Sequence, residues 1–343
     1  MNQSLEAANI SPMQAEDGVN GERPTPLLRG GWRDYLAIAR FDHTTKHVFI
    51  IPGIILAYAL RPSLQPAATS IIVGFGSAVA IASANYVINE WLDREFDAFH
   101  PQKSARTAVN RSLSSFVVYT EYLLLAVIGL FLASRLGTSF FYTSLLFIFS
   151  GLMYNLKPFR TKDKAYLDVI SESINNPIRL TLGWTMVDPT TLPPSSLLLA
   201  YWTGGAFLMG AKRLSEYRDI STEAGMQMLH RYRRSFSAYT AESLTVCCLL
   251  YAILSAFFIA IFLIKYRLEY IVALPFIGCL FALYFWLSLL RNSVAQRPER
   301  LFRSRRLGIA LTAVILVLFV STFVDMPFLN YLSDPNFVPV RNQ

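Results

Sequence analysis

Charge is scarce in this chain. Asp, Glu, Lys and Arg make up 16% of its 343 residues against 53% hydrophobic ones, and a mean hydropathy of +0.38 lies outside the habit of soluble globular domains. That shortage excludes a water-soluble domain as the main architecture. Cysteine is scarcer still: Cys247, Cys248 and Cys279 all fall in apolar runs without CxxC spacing, which excludes a disulfide scaffold and a zinc finger. His43, His47, His100 and His230 are scattered and form no HExxH pair. A Walker loop and a GxSxG elbow are also missing, so neither P-loop nucleotide chemistry nor a serine nucleophile is indicated. Residues 1–31 hold no apolar run of the kind a cleavable signal needs, and the first span is expected to act as the signal anchor.

What the chain has instead is a succession of apolar windows near the length of about 20 residues that a bilayer core requires. They lie at 47–61, 68–90, 114–133, 138–153, 168–187, 195–211, 242–264, 269–290 and 308–324. The expected fold is therefore all-α, a polytopic membrane bundle of nine transmembrane helices. A mobile cytoplasmic tail, 1–31, precedes a membrane catalytic domain, 32–325, and an extracytoplasmic tail, 326–343, follows it. The cations support this alternation. With the N-terminus inside, 25 of the 31 Lys and Arg residues fall in the inner segments, as the positive-inside rule demands. The net charge of +8 then reads as orientation and attraction to anionic lipid, with no nucleic-acid partner. A multi-pass protein of the cytoplasmic membrane is expected, its polar face toward the cytoplasm. Oligomeric state is left open, a homo-oligomer included.

Three inner loops carry more than a basic fringe. In "NEWLDREFDAFHPQK", Asn89, Asp93 and Asp97 recur every fourth residue and share one helical stripe, with Asn85 a turn deeper. Hard oxygen ligands in a row suit Mg²⁺, which takes one or two carboxylates and completes its shell with water and substrate phosphates. Lys103 and Arg106 follow as phosphate donors. The plainer alternative is a solvated helix end with Asp93 and Asp97 paired to Arg94 and Lys103. In the second loop, Tyr154 and Lys157 leave one span and Asp168 and Glu172 enter the next, which also holds Asn175, Asn176 and Arg179. An arginine at membrane depth is expensive and points to function, the alternative being a buried ion pair that only fixes packing. The third loop opens with "KRLSEYRD", where Lys212 and Arg213 precede Glu216 and Asp219. Such a set can hold a diphosphate together with its metal, although alone the two cations would be ordinary inner-face residues.

Taken together, these motifs resemble the UbiA superfamily of intramembrane prenyltransferases. Its NDxxDxxxD motif is met by Asn89, Glu90, Asp93 and Asp97, with Glu in place of the first Asp. More narrowly, the chain is similar to the decaprenyl-phosphate phosphoribosyltransferase (DPPR synthase) branch, through His100, Pro101, Lys103 and Arg106 in the first loop and Tyr154, Leu156, Lys157 and Asp168 in the second. Arg179 with Gly183 matches an RxxxG, Lys212, Arg213 and Glu216 match a KRxxE, and Lys46 matches a lysine before the first span. The resemblance implies Mg²⁺-dependent transfer of 5-phosphoribose from phosphoribosyl pyrophosphate to a polyprenyl (decaprenyl) phosphate. Asn89, Asp93 and Asp97 would hold the metal, and Tyr154, Lys157 and Asp168 would complete the catalytic set. Lys46, Lys103, Arg106, Arg179, Lys212, Arg213 and Glu216 would serve the phosphates. The rival readings are a prenyltransferase using a prenyl diphosphate donor and, from another class, a transporter.

Overall fold

The computed structural model describes residues 28–41, 44–65, 67–100, 103–290 and 304–333; most of the expected N-terminal tail and the last ten residues lie outside them. Apart from two short paired strands, Leu28–Arg29 and Arg111–Ser112, the described regular structure is helical. In chain order the α-helices are α1 (Trp32–Ala39), α2 (Ile51–Leu60), α3 (Ala68–Asp97), α4 (Thr107–Asn110), α5 (Ser115–Ala133), α6 (Thr138–Asn155), α7 (Leu167–Ser173), α8 (Asn175–Val187), α9 (Ser195–Glu223), α10 (Gly225–Tyr232), α11 (Ala241–Tyr266), α12 (Leu274–Ser288), α13 (Arg305–Phe323) and α14 (Phe328–Ser333).

Among the described residues, five segments are long and apolar enough to cross a membrane: Ala68–Asp97, Ser115–Ala133, Ala241–Tyr266, Leu268–Ser288 and Arg305–Phe323. The other four expected spans are helical but differ from a simple apolar rod. The first is short, an apolar stretch over His47–Leu60. Thr138–Asn155 and the helix from Ser195 carry more hydroxyls, glycines and amides. The window 168–187 is split into α7 and α8. Pro177 explains the split, because it has no N–H to give to the carbonyl of Ser173. The Asn175 amide compensates in part, donating to Glu172 O at 3.1 Å.

The apolar residues sort by neighbour. Ile50, Ile81, Phe140, Phe147, Ile178, Leu182 and Trp184 form a core among α2, α3, α6 and α8, while Phe207, Cys248, Tyr284 and Leu307 close a second one among α9, α11, α12 and α13. Outside these cores the helices stay greasy: Phe116, Leu123, Val246, Leu249, Ile315 and Phe319 are all exposed. Apolar surface on this scale marks a lipid-facing wall. Where α2 crosses α8 the backbones nearly touch, since a Cβ on Gly183 would lie 2.0 Å from Ile50 O and one on Gly53 would lie 2.1 Å from Leu180 O. Small residues permit such close crossing in lipid, where association depends on van der Waals fit.

Two helices are longer than a bilayer core is thick. At 1.5 Å per residue the 30 residues of α3 and the 29 of α9 are each about 45 Å long, against a hydrocarbon core of about 30 Å. Their C-terminal turns carry Asn89–Asp97 and Lys212–Asp219, so the polar chemistry stands at one end of the bundle.

Candidate active site

A cavity of about 220 Å³ opens between these ends. Its wall includes seven cationic side chains, Arg40, Lys103, Arg106, Arg179, Lys212, Arg213 and Arg233, against only two carboxylates, Asp93 and Glu172. The imbalance gives the cavity a positive field that favours anionic groups. Asn85, Asn89, Asn155, Asn175 and Asn176 add amides to the lining, and Phe49, Phe147, Leu208 and Met209 give it apolar sides.

Asp93 is the centre of the acidic wall and borders a smaller adjoining cavity as well. Lys162 reaches its Oδ1 at 2.5 Å and Arg160 the same oxygen at 3.1 Å. Neither cation takes Oδ2. Lys162 also donates to Asn155 Oδ1 at 2.6 Å, and Asn89 donates to that oxygen at 2.8 Å, which ties the acidic stripe of α3 to the end of α6. Burial pushes the Lys162 amine down to about 8 in spite of the Asp93 charge.

Asp97 is placed differently from the expected metal ligand. It lines only the smaller cavity, is nearly buried, and has Arg106 against Oδ2 and Lys103 4.0 Å from Oδ1. It holds those two cations in place. Lys103 in turn donates to the Tyr232 hydroxyl and sits over that ring. Burial draws the Lys103 amine down to about 7, opposed by the Glu216 and Asp97 carboxylates. His100, stacked edge-on against Tyr232, is pushed to about 3 by burial first and then by Lys103, so it stays neutral.

Arg213 organises the opposite wall. Wholly buried, it bonds Asp168 at 3.3 Å, Glu216 at 2.9 Å and Glu172. Asp168 also accepts from Tyr239 at 2.7 Å and Ser235 at 3.0 Å. Tyr154 donates to Glu172 at 2.8 Å and accepts from Arg233 at 2.6 Å. Of the residues expected here, Tyr154, Lys212, Arg213 and Arg179 line the cavity, whereas Asp168 and Glu216 stand behind it and position Arg213. Lys157 is exposed and off the cavity. The left-handed turn at Arg160 carries the chain past it and delivers Arg160 and Lys162 instead. The side chain of Lys46 lies outside the described residues.

Glu90, the departure from NDxxD, faces away from the cavity. It pairs with Arg40 at 2.6 Å and accepts from Ala108 N at 3.3 Å, fastening α3 to the N-terminal segment and α4. The motif's first acid is therefore structural in this chain. Sequence reasoning passed over Arg233, Arg160, Lys162, Asn155 and Arg40, although the run "RYRRS" and the cations after Tyr154 were visible; nothing in one dimension says which of a basic run turns inward.

Whether Mg²⁺ fits can be judged from the donors. Among the described residues no group of three His, Cys, Asp or Glu side chains converges on a metal-sized point. Mg²⁺ needs only one or two carboxylates when phosphates and water supply the rest. Among the described residues no side chain bonds Asp93 Oδ2, and with Asn89 one turn away and Glu172 on the facing wall it meets that requirement for an ion that brings phosphate ligands of its own.

A cation-rich polar cavity at one end of a lipid-facing helical bundle defines an integral membrane protein whose cavity favours anionic groups. The chain belongs to the UbiA prenyltransferase family, whose model matches residues 48–311. Sequence comparison finds no match among curated proteins. Among solved structures the fold is similar to a UbiA homologue from Archaeoglobus fulgidus bound to DMAPP and Mg²⁺, with a TM-score of 0.61, 17% identity, and coverage of 84% of this chain and 98% of that one. The same homologue bound to GPP and Mg²⁺ gives 0.59 at 18% identity, covering 85% and 100%. A digeranylgeranylglyceryl phosphate synthase structure gives 0.58 at 14% identity, covering 84% and 97%. The UbiA-like helical fold expected from the motifs is thus the observed one.

Proposed function

We propose that the protein transfers 5-phosphoribose from phosphoribosyl pyrophosphate to a polyprenyl phosphate and releases pyrophosphate. The observation that carries this reading is the lining of the cavity: seven cations against two carboxylates, interleaved with five asparagines. A phosphoribosyl donor brings one more phosphate than a prenyl diphosphate, plus hydroxyls for the amides, and the acceptor brings a further phosphate.

Mg²⁺, when bound, would neutralise charge on the departing pyrophosphate. Asp93, Asn89 and Glu172 would hold it. Lys103, Arg106 and Arg213, held in place by Asp97, Asp168 and Glu216, clamp phosphate oxygens together with Lys212, so little reorganisation is needed as charge develops. The acceptor phosphate is an anion at neutral pH and requires orientation more than deprotonation. Its isoprenoid tail lies along the apolar helices. In this reading nine spans cross the cytoplasmic membrane, with the N-terminus and the mouth of the cavity inside.

A second reading takes a prenyl diphosphate as donor, favoured by the fold's likeness to homologues that bind DMAPP and GPP. The discriminating experiment incubates detergent-purified protein with a polyprenyl phosphate and labelled phosphoribosyl pyrophosphate or GPP, with and without EDTA, and identifies the lipid product by mass spectrometry. A phosphoribosylated lipid that disappears with EDTA is expected. Product from GPP alone would overturn the sugar-donor reading.

A further inference from the structure

Two groups deep in the cavity have unmet and opposite needs. Arg179 on α8 lines it with its guanidinium carbon 5.2 Å from the centre of the Phe147 ring. Its Nε is buried without a partner, and among the described residues no carboxylate pairs with it. Asn85 on α3 gives its Nδ2 to Phe147 O at 3.0 Å, while its buried Oδ1 receives no donor. Both stand against Phe147. Asn85 precedes Asp93 by eight residues, about 12 Å along the helix.

An isolated cation at membrane depth is unfavourable, and the face of one phenylalanine offsets only part of that cost. Such a group is retained where a ligand completes it. Hydrocarbon cannot, because a prenyl chain laid against Arg179 and Asn85 would leave donor and acceptor both unsatisfied. A phosphomonoester satisfies the guanidinium, bidentately and in apolar surroundings that strengthen the contact. A hydroxyl on the same ligand satisfies Asn85. Between this floor and Asp93 the wall is amide, from Asn89, Asn155, Asn175 and Asn176.

We propose that Arg179 and Asn85 form a subsite for the phosphate end of a phosphorylated sugar, distinct from the diphosphate clamp at the mouth, and that this subsite selects a sugar donor over a prenyl one. The assignment rests on the sugar-donor reading above and says which end of the donor points inward.

Isothermal titration of the full chain in detergent tests it, with ribose 5-phosphate, ribose, inorganic pyrophosphate with Mg²⁺, and a short polyprenyl phosphate as separate ligands. Wild type should bind ribose 5-phosphate and not ribose. Arg179→Gln should weaken ribose 5-phosphate at least about tenfold while pyrophosphate stays within about twofold, and Arg179→Lys, which keeps the charge and loses the fork, should fall between. A melting temperature at or above wild type would show that the variant folds, since it removes an uncompensated charge. Wild type that ignores ribose 5-phosphate, unchanged affinity in Arg179→Gln, or a parallel loss of pyrophosphate overturns the subsite. A loss confined to polyprenyl phosphate gives the site to the lipid headgroup and overturns the sugar assignment. Selective loss of ribose 5-phosphate in a protein whose wild type transfers nothing from phosphoribosyl pyrophosphate would leave the subsite standing and overturn the transferase reading.

Discussion

At the scale of the residue, the site is governed by which carboxylates are already taken. Asp97 is committed on both oxygens and Asp93 on one. Asp93→Asn keeps the shape but removes the negative charge and turns one carboxylate oxygen into an NH2 donor, so pyrophosphate release should drop on the order of 100-fold with the melting curve little changed; a coupled phosphate assay on the purified variant decides it, and full turnover would remove Asp93 from the site. Lys103 carries the pH dependence. Its amine is held near 7 when the cavity is empty, whereas a bound polyanion favours the protonated form, so binding above pH 7 takes up a proton. Pyrophosphate affinity should therefore fall as pH rises from 6.5 to 8.5, by up to about tenfold per pH unit for one proton. Lys103→Arg, charged throughout, should flatten that profile in the same titration. An unchanged slope would place the titrating group elsewhere, Lys162 being the next to examine.

At the scale of the element, the site depends on breaks and crossings. Pro177 splits the helix where Glu172, Asn175 and Asn176 line the cavity, a setting in which irregular backbone at membrane depth is tolerated. The α2–α8 crossing sets where Arg179 stands, because Gly183 lies one turn after it against Ile50. Gly183→Ala should cost about 1–3 kcal/mol in spite of alanine's better helix propensity, as the obstacle is backbone and cannot swing aside. Thermal unfolding in detergent would report a lowered midpoint, and a midpoint at or above that of wild type would mean that the helices part freely there.

At the scale of the molecule, orientation decides whether the soluble donor proposed above can reach the mouth. Exposed Arg135 and Lys164 are predicted to face opposite sides. An impermeant maleimide applied to intact cells should label Arg135→Cys, and Lys164→Cys only after permeabilisation; the reverse pattern would invert the topology.

Helical membrane architecture and the polar stripe of α3 were legible in the sequence because both follow from local rules. A bilayer demands long apolar runs, and a helix places every fourth residue on one face. The count of full spans was harder to read, since hydropathy averages over Pro177 and over the polar residues of α6 and α9 that the bundle shelters. Lys157 shows the limit most clearly. It follows Tyr154 closely enough to look like a ligand, yet the turn at Arg160 leaves it outside and brings Lys162 to Asp93. Glu90 makes the same point from the other side: the sequence marked it only as the motif's departure from Asp, and Arg40, fifty residues earlier, is its partner. The sequence alone determined the phase this protein lives in and which residue types gather at its edge. Only the tertiary structure decided which charges neutralise one another and which stay available, because ion pairing depends on separations of a few ångströms between groups that the chain places far apart.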